Sequence, residues 1–434
     1  MVASGEQFDV IIVGAGPAGL SAAYTGAKAG LKVIVFERGE FPGSKNMMGG
    51  IFYRHAMDEI IPEFWKEAPL ERPIVEYRYW LLSKDSGSSF SFRSKDFGKE
   101  PYNGFSILRA KFDRWFAEKV VEAGALLVPE TLVEKLIKKD DAVVGVQTGR
   151  AEGDVYAPVV IIADGANSLL ARDAGIHAEW RGDQLGLGVK EIISLPKETI
   201  EGRFNLEGNE GVGIQLLGEI TKGLTGGGFI YTNVDSLAIG VIALVGDIAN
   251  NDICPNDLIE DMKNHPLIKP LIADGEVKEY SAHFVPEGGY RSIPTLYGDG
   301  WMLAGDAAML VNTVRGEGAN LAITSGKLAA ETAIRAKDKG DFSKSSLSLY
   351  KKMLDESYVL KDLKKYKDFG RFLHSHPQIT ALYPQLLEDV ARAEFAVDGI
   401  PKEVKGKQTR KKIREKTSLL KIARDLYGGW RALK

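Results

Sequence analysis

Phe8-Asp9-Val10-Ile11-Ile12-Val13-Gly14-Ala15-Gly16-Pro17-Ala18-Gly19 is the stretch that decides the fold of this chain. The β-branched run from Phe8 to Val13 has the length of a buried strand and leads directly into glycines, then into a helical pattern from Pro17 to Gly30. Leu31 to Phe36 reads as a second parallel strand, so the first 40 residues form a βαβ unit. Gly14, Gly16 and Gly19 make G-x-G-x-x-G where the strand ends and the helix begins, with Pro17 and Ala18 in its first turn. The first glycine permits the tight turn, the second lets backbone approach a pyrophosphate, and the third allows close helix–strand packing. The helix N-terminus adds positive potential for the phosphates. Glu37 ends the second strand 18 residues after Gly19, where it can accept hydrogen bonds from a ribose diol, with Arg38 beside it. Dinucleotide binding is the expectation.

Two further segments bear on which dinucleotide. Ala163-Asp164-Gly165 ends a buried strand from Val159, and Gly305-Asp306 ends another from Trp301. A carboxylate presented at a strand end by a neighbouring glycine can hold a polyol such as the ribityl chain of FAD, and Asp306 is assigned that role. Asp164 reads equally as a turn former or helix cap. Gly316, Gly318, Ala319 and Asn320 then open a long helix running to Lys337, whose N-terminal field would favour a reduced, anionic flavin.

Outside these segments, a helix is expected from Phe112 to Ala123. Short β-like runs broken by glycine occupy Trp180 to Pro286, and the chain is helical from Leu347 onward. The fold class is therefore α/β: a discontinuous Rossmann-like FAD-binding domain (1–75, 106–178 and 291–340), an inserted antiparallel sheet forming a substrate or quinone domain (76–105 and 179–290), and a C-terminal helical, basic region (341–434).

Composition narrows the class. Hydrophobic residues at 44% and charged residues at 26% are those of a globular enzyme. The longest apolar run, Leu237 to Val245, is too short to span a bilayer, and no signal segment precedes the first strand. A cytoplasmic location is expected, with a peripheral place on the inner face of the cell membrane as an extension of it. Cys254 is the lone cysteine, so this sequence cannot build a zinc or iron–sulfur site by itself, and no metal site is assigned. From Lys402 to Lys434 there are twelve Lys or Arg against Glu403, Glu415 and Asp425, which suits either a solvated helix end or a docking surface.

The combination of G-x-G-x-x-G, Ala163-Asp164-Gly165 and Gly305-Asp306 resembles the single-dinucleotide flavoproteins that include aromatic hydroxylases and geranylgeranyl reductases. Gly43-Ser44-Lys45-Asn46-Met47-Met48-Gly49-Gly50, Leu108-Arg109-Ala110-Lys111-Phe112-Asp113 and Val285-Pro286-Glu287-Gly288-Gly289-Tyr290-Arg291-Ser292-Ile293-Pro294 are similar to the FixC and electron-transfer-flavoprotein:quinone oxidoreductase branch. The resemblance implies an FAD that takes electrons from a two-subunit electron transfer flavoprotein and passes them toward a quinone, menaquinone or ubiquinone. It also implies a separate small ferredoxin-like iron–sulfur subunit, since the four-cysteine domain of mitochondrial-type members has no counterpart here. The implied assembly is electron-bifurcating, the flavoprotein partner oxidising NADH. By the same resemblance Gly49, Gly50 and Arg109 line the flavin ring, Lys45 is a cofactor-binding residue, and Gly316 and Gly318 face the ring's pyrimidine edge. Arg109 has a competing reading as the helical-spacing partner of Asp113.

No acid–base pair or nucleophile stands out, no catalytic residue is assigned, and no nucleic-acid partner is expected. A second G-x-G-x-x-G is missing, so electrons are expected from a protein. Ile214, Leu216, Leu217, Phe229, Ile242 and Leu244 are candidates for a quinone channel, with core packing the commoner role for such residues. A geranylgeranyl reductase-like enzyme and a scaffold with structural FAD are the alternatives.

Overall fold

The computed structural model describes residues 7–45 and 50–434, which form two compact units. The first comprises residues 1–71, 102–185 and 284–365; Asn46 to Gly49, and with them the Gly49 assignment, lie outside the described residues.

At the centre of the first unit is a sheet of six strands. Its parallel part runs, in spatial order, Trp301–Leu303, Val159–Ile162, Val10–Val13, Val33–Phe36 and Leu126–Val128, with Tyr297–Gly298 antiparallel at one edge. Strands Val10–Val13, Val33–Phe36 and Val159–Ile162 are buried along their whole length, which is why they read as continuous apolar runs and not as alternating ones. Helices Pro17–Lys28 and Ala319–Lys339 pack against each other at backbone distance: a Cβ on Gly326 would fall 2.0 Å from the Ala18 carbonyl oxygen, and Ser21 Oγ donates to Ile323 O at 2.6 Å. A hairpin-like pair, Gly50–Tyr53 with Gly104–Ile107, and a three-stranded antiparallel sheet spanning Val133–Lys139, Ala142–Thr148 and Asp154–Tyr156 complete this unit with its helices.

The second unit takes in residues 72–101, 186–283 and 366–434. Its strands Leu185–Ser194, Ser236–Leu244, Gly226–Thr232 and Gly211–Gly218 are successively antiparallel, whereas Gly211–Gly218 runs parallel to Leu70–Leu82. The inserted sheet is thus antiparallel across these four strands and parallel where Gly211–Gly218 meets Leu70–Leu82. Alternation along each strand puts Ile214 and Leu216 into the core of this unit with Val212, Ile239 and Val241. Leu217, Phe229, Ile242 and Leu244 fall outside that cluster, so the six quinone candidates divide between two environments. Arg72, fully buried, holds the unit's turns by donating to Asn233 O and Val234 O at 2.6 and 3.0 Å. Among the described residues, no helix is long and apolar enough to cross a membrane, and no group of three or more His, Cys, Asp or Glu could hold a metal ion.

Candidate functional site

The parallel register explains why segments far apart in sequence meet. Val13 lies opposite both Ile162 and Phe36, and Ile162 lies opposite Leu303. Gly14, Glu37, Ala163 and Ala304 therefore leave four adjacent strands at one level, at the carboxyl ends where open α/β sheets bind ligands. Hydrogen bonds fix that level: Gly14 N donates to Phe36 O, Ala163 N to Val13 O, and Ala304 N to Ile162 O, at 2.8, 2.9 and 3.0 Å.

Backbone contacts around the first turn leave no room for a side chain at Gly14 or Gly19. Gly14 has φ +97°, and a Cβ there would sit 2.3 Å from Ala163 O. One on Gly19 would sit 1.9 Å from Gly14 O, so the turn folds back on its own helix. Helix Pro17–Lys28 begins with no side-chain cap and no acid in its first turn, leaving its N–H groups directed at whatever occupies the strand ends. The Glu37 carboxylate accepts from Ala15 N at 2.9 Å and Gly39 N at 2.6 Å, which pins it across the turn. Arg38 and Lys45 are exposed, and Gly39 packs against Ser44 and Lys45.

The flavin-ring candidates are tied in by the same contacts. Gly43 packs against Arg109, Ala110 and Asp113 at the start of helix Arg109–Glu122. Arg109 makes a bidentate pair with the buried Asp113, Nε to Oδ1 at 2.9 Å and an Nη to Oδ2 at 2.8 Å, so the helical-spacing partner is real. Burial weighs against the Arg109 charge, but Asp113, joined by the field of Asp306, outweighs it and holds the guanidinium's pKa above its ordinary value. Arg109 and Asp306 thus belong to one electrostatic group. Gly305 N donates to Ser325 Oγ at 3.0 Å, and Gly305 itself lies against Ala18. Gly50 pairs with Ile107 in the short hairpin. Gly316 sits in the turn closed by Asn312 N to Glu317 O at 2.8 Å and Glu317 N to Asn312 O at 3.0 Å; Gly318 then caps the helix begun by Ala319 and Asn320. Burial raises the Glu317 carboxyl pKa, opposed by the Asn320 hydrogen bond and by Arg315, and this acid stands at the open end of the helix.

Asp164 combines both sequence readings. One oxygen accepts from Leu170 N at 3.1 Å, at the start of helix Leu169–Asp173, while Oδ1 is buried with no partner among the described residues. Gly165 follows in the left-handed region at φ +82°. Burial pushes the Asp164 carboxyl up to about 6, against the Leu170 hydrogen bond and the Arg38 charge. Since the folded-state pKa lies above the ordinary 3.8, stability should fall as pH rises from about 3.8 to about 6 and level off above. Asp164→Asn keeps the acceptor and removes the charge. In flavin-free protein we expect it to raise stability at pH 8 by at most about 3 kcal/mol, and by nothing at pH 3.5. Thermal melts at the two pH values check this, and an equal gain at both would refute it.

Orphaned polar atoms lie on the loops that follow these strands. Asp164 Oδ1, Ser44 Oγ and both side-chain polar atoms of Asn312 are buried without partners among the described residues. Such groups are costly unless a ligand or water supplies the missing bond. A nucleotide cofactor with ribose, pyrophosphate and polyol hydroxyls fits this donor and acceptor set. Ser44 and Asn312 carried no sequence assignment, because an isolated Ser or Asn in a loop gives no periodic signal. The G-x-G-x-x-G spacing of the first turn is what a sequence can announce.

Comparison with known proteins identifies the family. A model described as the ETF-QO/FixC family C-terminal domain matches residues 369–434, and a Thi4 family model matches residues 2–68. Protein FixC of Bradyrhizobium diazoefficiens is 49% identical over 425 residues, 97% of this chain and 98% of its own. The chain belongs to the FixC family. Its Escherichia coli relative named "Probable electron transfer flavoprotein-quinone oxidoreductase YdiS" is 40% identical over 92% of this chain and 93% of its own. Among solved structures, a geranylgeranyl bacteriochlorophyll reductase-like protein of Thermoplasma acidophilum superposes with TM-score 0.73 at 22% identity, covering 94% of this chain and 99% of that one. At that identity the likeness is one of fold. This FixC-family chain is an FAD-dependent oxidoreductase, and the strand-end residues described above fit that cofactor.

Proposed function

We propose that this FixC-family protein passes electrons from an electron transfer flavoprotein to a quinone. The observation that supports it most is near-full-length similarity to FixC proteins and to the relative named as a quinone oxidoreductase, together with strand ends whose orphaned polar atoms suit FAD. When bound, FAD supplies the capacity to accept electrons from one protein and release them to another acceptor. The chain's own work is positional: Gly14, Gly16 and Gly19 bring backbone to the pyrophosphate, Glu37 receives the ribose, Asp306 the ribityl chain, and Arg109 with Gly50 borders the ring. Glu287, in the turn that follows strand Glu276–Pro286 and with its carboxyl pKa pushed up to about 8 by burial, we assign to proton delivery. With Cys254 alone in these 434 residues, an iron–sulfur cluster in the same electron path would be held by a separate ferredoxin-like subunit. In the full reading the flavoprotein partner oxidises NADH, sends one electron to low-potential ferredoxin and the other to this chain. Bifurcation then lies in the partner.

The test uses the FAD-loaded protein. Reduction by a reduced electron transfer flavoprotein, followed by reoxidation with a soluble ubiquinone or menaquinone analogue, is expected. NADH alone should reduce it at least about 100-fold more slowly, a difference of about 2.7 kcal/mol in barrier. Fast reduction by NADH without any partner contradicts the reading. Failure to reoxidise with quinone, coupled with saturation of a prenyl substrate, would favour an isoprenoid reductase instead.

A further inference from the structure

Helix Leu419–Leu433 in the second unit is amphipathic in an inverted sense. At 100° per residue, Leu433, Leu426, Leu419, Trp430, Tyr427 and Leu420 form one continuous arc of about 140°. That arc faces solvent: Leu420 is 84% exposed, Leu426 65%, Tyr427 59% and Trp430 56%. The inward face is the polar and small one. Asp425, the helix's one acid, is buried and accepts from Tyr383 OH at 2.6 Å and Gln378 Nε2 at 2.7 Å. Gly428 and Gly429 pack directly against the Phe372 ring. A solvent-facing helix ordinarily buries its apolar stripe, and an exposed stripe of this extent marks a surface that is covered in use.

The charge beside the arc indicates what covers it. Lys421, Arg424, Arg431 and Lys434 are all exposed, while the single acid is turned away, so the outer surface of this helix carries cations only. The preceding helix, Lys402–Lys416, adds Lys407, Arg410, Lys411 and Arg414, which line one shallow concavity with Glu415. Leucines with Trp and Tyr on one side and Lys and Arg beside them are the make-up of a helix lying in the plane of a bilayer surface, where long cationic side chains reach the headgroups. Trp and Tyr favour that same boundary. We propose that the Leu420–Trp430 face lies in the headgroup–acyl boundary of an anionic phospholipid bilayer. The proposal deepens the quinone reading and rests on it for motive, because a lipid-soluble acceptor is met at a bilayer surface.

The experiment is co-sedimentation of FAD-loaded protein with quinone-free vesicles of phosphatidylcholine, with and without 30% phosphatidylglycerol. The parent protein should bind the anionic vesicles at least about 10-fold more tightly than the neutral ones, and high salt should weaken binding without abolishing it. Leu420→Ser with Trp430→Ser should lower binding at least about 10-fold, leaving flavin content and turnover of a soluble quinone analogue unchanged. Brominated lipid should quench parent fluorescence more than that of Trp430→Phe. Absent binding of the parent, undiminished binding of the double variant, or a variant that loses a purified protein partner while still binding vesicles would each overturn the proposal. Loss of vesicle binding with soluble-quinone turnover intact separates this result from a failure of the electron-transfer reading.

Discussion

Gly16→Ala will give a folded protein that purifies without the yellow colour of bound flavin. Gly16 has φ −81° and ψ −178°, extended backbone that any residue adopts, and a Cβ there meets nothing within 4 Å among the described residues. The substitution therefore costs the flavin-free fold almost nothing. On the proposed FAD placement the pyrophosphate approaches the helix N-terminus through the same open space, and a methyl group there would hold it off the helix N–H groups. We expect the Kd for FAD to rise at least about 100-fold, about 2.7 kcal/mol, with the thermal melt of flavin-free protein within a degree or two of the parent. Flavin titration followed by fluorescence measures it. A variant that binds FAD with parental affinity would show that the pyrophosphate lies elsewhere. Gly19→Ala is the contrasting control: its Cβ would fall 1.9 Å from the Gly14 carbonyl oxygen, so the turn and helix must separate and the apoprotein itself is destabilised.

That contrast shows what the sequence could and could not convey. Strands Val10–Val13, Val33–Phe36 and Val159–Ile162 are legible because both of their faces are buried, so burial writes itself as unbroken β-branched runs. The helices beginning at Pro17 and Ala319 are legible because glycine-rich turns precede them. The parallel pairing of Gly211–Gly218 with Leu70–Leu82 is not, since alternation within a strand is the same for either neighbour direction. Nor could periodicity tell which face of Leu419–Leu433 points inward. A helix with a leucine stripe reads as core-facing, and only the packing of Gly428 and Gly429 on Phe372 shows that it is turned the other way. Asp164 was legible as a strand-end acid, whereas its bond to Leu170, six residues on, depends on how the intervening loop closes.

Glu287→Gln should slow quinone reduction by about 100-fold and erase a pH dependence that the parent protein shows near pH 8, the scale expected on losing a positioned proton donor. The Glu287 backbone is held firmly: its amide and that of Gly288 both donate to Gln184 O, at 2.8 and 3.0 Å, while Gln184 Oε1 accepts from Arg181 N at 2.8 Å. A Cβ on Gly288 would fall 2.4 Å from Ser292 Oγ, which leaves the turn little freedom to repack. Burial alone pushes the Glu287 carboxyl up to about 8, and no charge among the described residues opposes it. At pH 7 the group is therefore a neutral acid that can give up a proton, and reducing a quinone to a hydroquinone consumes two protons with two electrons. Above pH 8 the carboxyl is ionised and cannot donate, so the parent rate should decline as pH rises through that value. Folding carries the same sign: with the folded-state pKa above the ordinary 4.5, stability falls between about 4.5 and about 8, a loss that glutamine removes. Reduction of ferricyanide, which takes electrons without protons, should be unaffected by the substitution. If Glu287→Gln keeps both the parental rate and the inflection near pH 8, another group delivers the proton; if ferricyanide and quinone rates fall together, the glutamate acts on flavin binding or reduction and not on proton transfer.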